Sequence, residues 1–291
     1  VSDRKRLLTP YLFVLPNVLI FLIFVVFPAI YGLVLSFTKW DVISDPVFVG
    51  LKNYISIFSS ESFWDTTRKT FIYVFAVVPW TFVTSLALAL LLDMKIRLRS
   101  VMRALFYIPS MLSAVVIGVS WRWILGDNFG VINYLLERAG FKSVGWLTTP
   151  SWTMFVVILV SVWARAGYYM VIFLAGLQSI SSVYYEAARI DGASVWQQFW
   201  QITLPLLKPT SLVVVVLTGI EAFKVFDLIV VMTTGGPGKA TTFLVQDIYR
   251  WAFERGDLGY ASAMSVVLLL ILGLLTAVQF GIAERGGNAY E

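Results

Sequence analysis

Six long apolar runs punctuate this chain, at about 11–37, 70–92, 104–125, 152–177, 210–232 and 261–283. Each is long enough for a membrane-crossing helix, which needs roughly 20 residues. The first follows Arg4, Lys5 and Arg6, a basic start of the kind that secretory signals have. It is too long for a signal and lacks a small-residue cleavage site. It therefore reads as a retained span, with Pro16 and Pro28 tolerated as kinks. The pattern predicts an all-α membrane protein of six transmembrane helices. No internal repeat or soluble segment interrupts it, so residues 1–291 read as one membrane domain.

One polar stretch has structure of its own. Between the fourth and fifth runs, residues 182–205 are helical in pattern but broken in the middle. Ser182 can cap a short helix from 183 to 190, with Glu186 in its first turn, where the helix dipole favours a carboxylate. Asp191-Gly192 stops that helix, because glycine takes a left-handed turn without steric cost. Ser194 opens a second helix, and Gln197 follows at the spacing of a capping box. Leu204-Pro205 ends it. The expected product is a helix–turn–helix knob at a membrane face. Ala187 and Ala188 leave little side chain on its first helix, so a partner backbone can approach closely.

Composition supports a membrane location. Only 13% of residues are charged, about half of what a soluble domain carries. Aromatics make up 16%, which fits interfacial belts. The absence of cysteine and histidine removes thiolate and imidazole metal ligands and the usual general base. No metal or cofactor site is expected on this chain. The net charge of +5 gathers beside apolar runs, which points to membrane orientation rather than nucleic acid. Lys95, Arg97, Arg99 and Arg103 crowd the short second link. Together with the basic amino terminus, they place that link, the knob and both termini on the cytoplasmic side.

Glu186-Ala187-Ala188, Gly192 and, after nine intervening residues, Ile202-x-Leu204-Pro205 resemble the EAA signature of permease subunits in ATP-binding-cassette (ABC) importers. The longer form EAARIDGA followed by ITLPLLKP is similar to carbohydrate permeases of the maltose and glycerol-phosphate type. The resemblance implies the type I ABC importer permease fold, with 182–205 as a cytoplasmic coupling segment docked on an ATP-binding subunit. Glu186, Ala187, Ala188, Asp191, Gly192, Ile202, Leu204 and Pro205 would carry that coupling. It further implies a second homologous permease, two ATP-binding subunits holding ATP and Mg, and an extracytoplasmic solute-binding protein. The chain itself would be non-catalytic and sit in a bacterial or archaeal inner membrane. Its cargo would be a sugar or oligosaccharide, or alternatively an anionic polyol such as glycerol phosphate or a glycerophosphodiester.

Charges inside the runs mark a second candidate site. Arg165 lies in the fourth run, and Glu221, Lys224 and Asp227 follow one another at three-residue steps in the fifth. A lone charge at bilayer centre costs roughly 2.5–3.5 kcal/mol, so these groups should face protein or water. Helical neighbours among them can pair. They serve either as a self-neutralising ion pair or as the lining of a path. Alignment with the maltose-type permease, anchored on the signature and on Thr234-Gly235-Gly236-Pro237, supports the path. Its sugar-contact positions match Ser110 and Ala114, then Ser161, Ala164, Arg165 and Tyr168, then Glu221, Ala222 and Val225. Trp121, Trp123, Trp163 and Tyr169 could stack on sugar faces, or simply anchor at the interface.

Other classes fit less well. Gly235-Gly236-Pro237-Gly238-Lys239 fails the spacing of a phosphate-binding loop. An intramembrane enzyme would be left with carboxylate chemistry on Glu221 or Asp227. A secondary transporter would show paired repeats or broken helices. The apolar runs suggest neither, and the knob would then be unexplained.

Overall fold

The computed structural model describes residues 13–94, 97–127 and 129–287, with only the backbone for the last five. Arg4, Lys5, Arg6, Lys95 and the first two residues of the first predicted span lie outside them. In chain order the elements begin with α1 (Phe13–Leu35), β1 (Thr38–Lys39), β2 (Val47–Phe48), α2 (Lys52–Phe58) and α3 (Glu61–Asp93). Next come α4 (Arg99–Met111), α5 (Ala114–Ile124), α6 (Val131–Arg138) and α7 (Pro150–Ser179). Then follow α8 (Ser182–Ile190), α9 (Val195–Leu206), α10 (Lys208–Phe223) and α11 (Asp227–Thr233). The last are α12 (Leu244–Tyr249), which runs on into a wider π turn at Arg250–Glu254, and α13 (Leu258–Gly287).

These elements form two compact units. Of the described residues, those up to 63 with 247–270 make one, and those in 64–246 with the ones from 271 onward make the other. In the first, β1 and β2 pair antiparallel, with Thr38 opposite Phe48. Buried Asn53 on α2 donates to the carbonyls of Ser36 at 2.9 Å and Thr38 at 2.8 Å, fixing α2 beneath the hairpin. The Leu258 amide donates to Trp40 O at 2.9 Å, and Asp257 caps α13 by accepting from the Tyr260 amide at 2.9 Å.

The second unit is built around α7, which is apolar around most of its circumference and has buried residues from Thr153 to Leu177. Tyr169, Met170, Phe173, Leu174 and Leu177 of α7 pack with Leu86, Ala89 and Leu92 of α3, and with Leu207 and Val214 at the start of α10. On another side α4 comes so close that a β-carbon on Gly167 would lie 1.9 Å from Phe106 O. Small residues let helices approach in this way where hydrophobicity alone cannot drive association in lipid.

Among the described residues, α1, α3, α7 and the Leu258–Ile282 part of α13 are each long and apolar enough to cross a membrane. The third and fifth predicted spans are not continuous helices. The third is α4 and α5, bent by 96°. Pro109 sits in the last turns of α4, and Ser113, in extended conformation, restarts the helix by accepting from the Val115 amide. The fifth stops at Phe223 and resumes at Asp227. With 16 residues, α10 is about 24 Å long, short of a hydrocarbon core of about 30 Å, and it is α9 and α10 together, bent by 67°, that reach the length and apolarity of a crossing. No glycine or proline marks this second break. Packing holds it, with Val231 and the Leu228 carbonyl of α11 set against Gly118 of α5. Broken helices therefore do occur here, contrary to what the apolar runs suggest.

Candidate functional site

The polar stretch folds as the expected knob, with its first cap shifted by one residue. The chain leaves α7 extended at Ile180, so Ser181 becomes the cap and accepts from the Val183 amide, while Ser182 is already helical. Glu186 is then the fifth residue of α8, outside the first turn, so the dipole reading does not hold for it. Gly192 takes φ +77° and ends α8 in a Schellman turn: its amide donates to Arg189 O at 3.1 Å, and that of Ala193 to Ala188 O at 2.8 Å. Ser194 and Gln197 form the full capping box of α9. Pro205 does not end that helix. A π turn over Phe199–Thr203 precedes it, and this wider turn accommodates the ring, so the helix continues to Leu206 and bends by 67° into α10.

The two helices of the knob are joined to each other and to the core. The Tyr185 and Thr203 hydroxyls lie 3.0 Å apart, and Gln198 Nε2 donates to Ala193 O at 2.9 Å. Phe199 and Leu204 pack on the α3–α7–α10 core, and Leu207 lies within it. Glu186, Ala187, Asp191 and Gly192 are exposed, Ala188 is partly exposed, and Ile202, Leu204 and Pro205 are half-buried. Val195 is 84% and Trp196 69% exposed, which gives the knob an uncovered apolar tip.

A cavity of about 320 Å³ opens beside both helix breaks. Ser110 and Leu112 line it at the first break, with Ala114 and Ile117 of α5; Lys224, Val225 and Phe226 line it at the second, with Asp227 and Leu228 of α11. Tyr73 comes from α3; Ser161, Ala164 and Arg165 from α7; Thr218, Glu221 and Ala222 from α10. Arg165 Nη1 lies 3.3 Å from Glu221 Oε2, and both side chains are about half-exposed. Tyr169 Oη donates to that same oxygen at 3.1 Å. Tyr73 Oη donates to Ser161 Oγ at 2.8 Å, and Ser161 donates onward to Val157 O at 2.7 Å. Ser110 Oγ is buried and has no hydrogen-bond partner among the described residues. The cavity thus offers two cations, two carboxylates and several hydroxyls.

The expected pairing along the fifth span is absent. The helix ends at Phe223, so Lys224 and Asp227 lose their helical register to Glu221, and neither forms an ion pair among the described residues. Glu221 pairs across to α7 instead. Of the aligned contact positions, Ser110, Ala114, Ser161, Ala164, Arg165, Glu221, Ala222 and Val225 all reach the cavity. Tyr168 does not line it; its ring stands edge-on to Tyr169 and is 40% exposed. Trp121 and Trp163 pair edge-to-face with centroids 5.5 Å apart, Trp123 is 65% exposed, and none of the three lines the cavity. Tyr73 and Tyr169 were not among the aligned positions. Tyr73 had no sequence signal beyond a polar-tipped ring in an apolar run; Tyr169 was expected as a stacking ring, but it is fully buried, does not line the cavity and reaches it only through its hydroxyl on Glu221. The Gly-rich loop closes α11 through Thr234 at φ +54°, as a turn capping the fifth span.

A polar cavity at two broken crossings, set among membrane-spanning helices and rooted in an exposed helix–turn–helix, defines a membrane permease. The chain belongs to the family of binding-protein-dependent transport system inner membrane components, matched over residues 82–286. It is 36% identical to the trehalose/maltose transport system permease protein MalF of Thermococcus litoralis, over 94% of this chain and 93% of that one. It is 34% identical to the probable starch degradation products transport system permease protein AmyD of Thermoanaerobacterium thermosulfurigenes, covering 94% of each. Among solved structures it matches a bacterial alginate ABC transporter in complex with its alginate pentasaccharide-bound periplasmic protein. That match has a TM-score of 0.86 at 26% identity, over 97% of this chain and 96% of the other. The chain is thus a multi-pass inner-membrane permease subunit of a binding-protein-dependent ABC importer, with the type I permease fold.

Proposed function

We propose that this permease passes a neutral sugar or oligosaccharide through the cavity at its helix breaks, driven by ATP-binding subunits docked on the knob. The relatives named for trehalose, maltose and starch products support a carbohydrate cargo, and the alginate importer of the same fold, which takes an acidic polysaccharide, supports the carbohydrate class but not its neutrality. The charge balance of the cavity supports a neutral one: Arg165 and Lys224 are offset by Glu221 and Asp227, leaving no net attraction for a phosphate. A glycerol phosphate or glycerophosphodiester is the less supported cargo for that reason.

One observation carries the mechanism. Knob and cavity are joined by packed helices, because α7 and α10 hold Arg165 and Glu221 and are also the helices from which the knob springs. Closure of two ATP-binding subunits would push on α8 and α9 and tilt α7 and α10 as packed rods. Glu186 would supply a polar contact, with Ala187 and Ala188 allowing close approach, while Asp191 and Gly192 form the turn. Ile202, Leu204 and Pro205 would pass the movement into the core. ATP and Mg would be held by those partners, not by this chain. A second homologous permease would complete the path, and an extracytoplasmic solute-binding protein would deliver cargo. Both termini and the knob would then be cytoplasmic.

The test is uptake by the reconstituted transporter. Arg165→Ala and Glu221→Ala should each lower uptake at least tenfold while the ATP-binding subunits stay attached. Normal uptake in either, with a correctly assembled complex, would remove the pair from the path.

A further inference from the structure

The Gly-rich loop that follows α11 is tied to itself and to α3. The Thr233 and Thr241 hydroxyls lie 2.8 Å apart. Gly235 O accepts from the Thr241 amide at 3.2 Å and from Thr242 Oγ1 at 3.1 Å. Thr241, Thr242, Phe243 and Leu244 are all buried. The last two meet α3. The Leu244 amide donates to Thr70 Oγ1 at 3.0 Å, and the Phe243 ring packs on that of Tyr73 with centroids 4.6 Å apart.

Tyr73 carries this contact to the cavity wall, which it lines together with Ser161. The direction of the bond between them is forced. Ser161 has one proton, and it goes to Val157 O at 2.7 Å. Tyr73 Oη is therefore the donor in the 2.8 Å contact with Ser161 Oγ. A hydroxyl oxygen has two lone pairs. Tyr73 takes one, so the other is what Ser161 has left to offer a cargo. A lone pair accepts only from a proton donor, such as a sugar hydroxyl. The two residues are 1% and 5% exposed, so water competes little for this position. Ser110, at the first helix break, is different: with no hydrogen-bond partner among the described residues, its hydroxyl can turn either way.

We infer that Tyr73 is a positioning residue for cargo: clamped by Phe243 of the Gly-rich loop, it fixes the Ser161 hydroxyl as an acceptor for one cargo O–H. A cargo must then present a hydroxyl donor at that point. The inference rests on the reading of this cavity as the sugar path. A hydrogen bond that only joined α3 to α7 would matter to stability and leave selectivity alone.

The test is uptake by the reconstituted transporter with its solute-binding protein. The probes are two neutral disaccharides, maltose and trehalose, and their deoxyfluoro analogues, one for each free hydroxyl. Fluorine is close to a hydroxyl in size but has no proton to donate. In the parent chain, fluorination at one ring position should cut uptake about tenfold. Ser161→Ala should remove that penalty, so that sugar and analogue travel alike. Tyr73→Phe should shrink it about threefold, because Ser161 is then free to turn its proton to the cargo. Phe243→Leu should act in the same direction by loosening the clamp on Tyr73, and it stands in for Tyr73→Phe if that variant fails to assemble. The solute-binding protein is common to all variants, so a change between them belongs to the permease. If Tyr73→Phe and Ser161→Ala kept the fluorine profile of the parent, the inference would be overturned and the sugar path would stand. A parent chain that imported neither sugar nor any analogue would overturn the sugar path, and the inference with it.

Discussion

Replacing Gly167 with alanine tests whether the close approach of α4 and α7 shapes the cavity. A β-carbon there would sit 1.9 Å from the Phe106 carbonyl oxygen, 2.7 Å from its carbon and 3.0 Å from Tyr107 Cα. Ordinary contact begins near 3.4 Å, so the helices must separate by roughly 1.5 Å. All three obstacles are main chain, which cannot swing aside as the tip of a side chain does. Overpacking of this kind costs about 1–3 kcal/mol, and a backbone obstacle favours the upper end. Ser110 lies one turn beyond Phe106, so the same displacement moves the cavity wall. Thermal unfolding of the purified chain in detergent, followed by tryptophan fluorescence, should show a midpoint lowered by about 6–12 °C, at about 2–4 °C per kcal/mol for a chain of this size. Uptake should fall with it. Gly273→Ala is the control, since nothing lies within 4 Å of a β-carbon there and alanine adds about 0.5–1 kcal/mol of helix preference. If Gly167→Ala melted and transported like the parent chain, the packing reasoning would be refuted.

Other variants probe the two candidate sites separately. Tyr169→Phe removes a hydroxyl that holds Glu221 Oε2, so KM for uptake should rise about fivefold with the maximal rate nearly unchanged; an unchanged KM would exclude Tyr169 from a positioning role. Gly192→Ala forces a left-handed backbone on a residue with a β-carbon, at a cost of about 1–2 kcal/mol, whereas Gly192→Asn suits that conformation better. Cargo-stimulated ATPase should therefore drop in the alanine variant and largely survive in the asparagine one, both inserting normally; equal coupling in the two would count against the turn. Ser194→Ala removes half of the capping box, about 1 kcal/mol, and should speed hydrogen exchange of the amides at 196 and 197. Unchanged exchange would show that the tertiary contacts of the knob, not the cap, hold α9.

What the sequence by itself determined was the all-helical membrane class and the form of the knob. Lipid offers no hydrogen-bond partner to a bare backbone, so run length is close to sufficient for calling a span. The knob is local chemistry: the Gly192 turn and the Ser194–Gln197 box each need only a few neighbouring residues, so short-range spacing reveals them. Local signals failed where an adjacent alternative was equally good, as with Ser181 over Ser182, or where one irregular turn absorbed a breaker, as the π turn does for Pro205. The interruption at 224–226 was invisible for a different reason: Lys224, Val225 and Phe226 include no glycine or proline to mark a break, and the seat of α11 against Gly118 is a long-range contact. The choice between Tyr168 and Tyr169 also belonged to the tertiary structure. On a helix apolar around most of its circumference, periodicity carries little phase, so the position of α10 decided which ring meets Glu221.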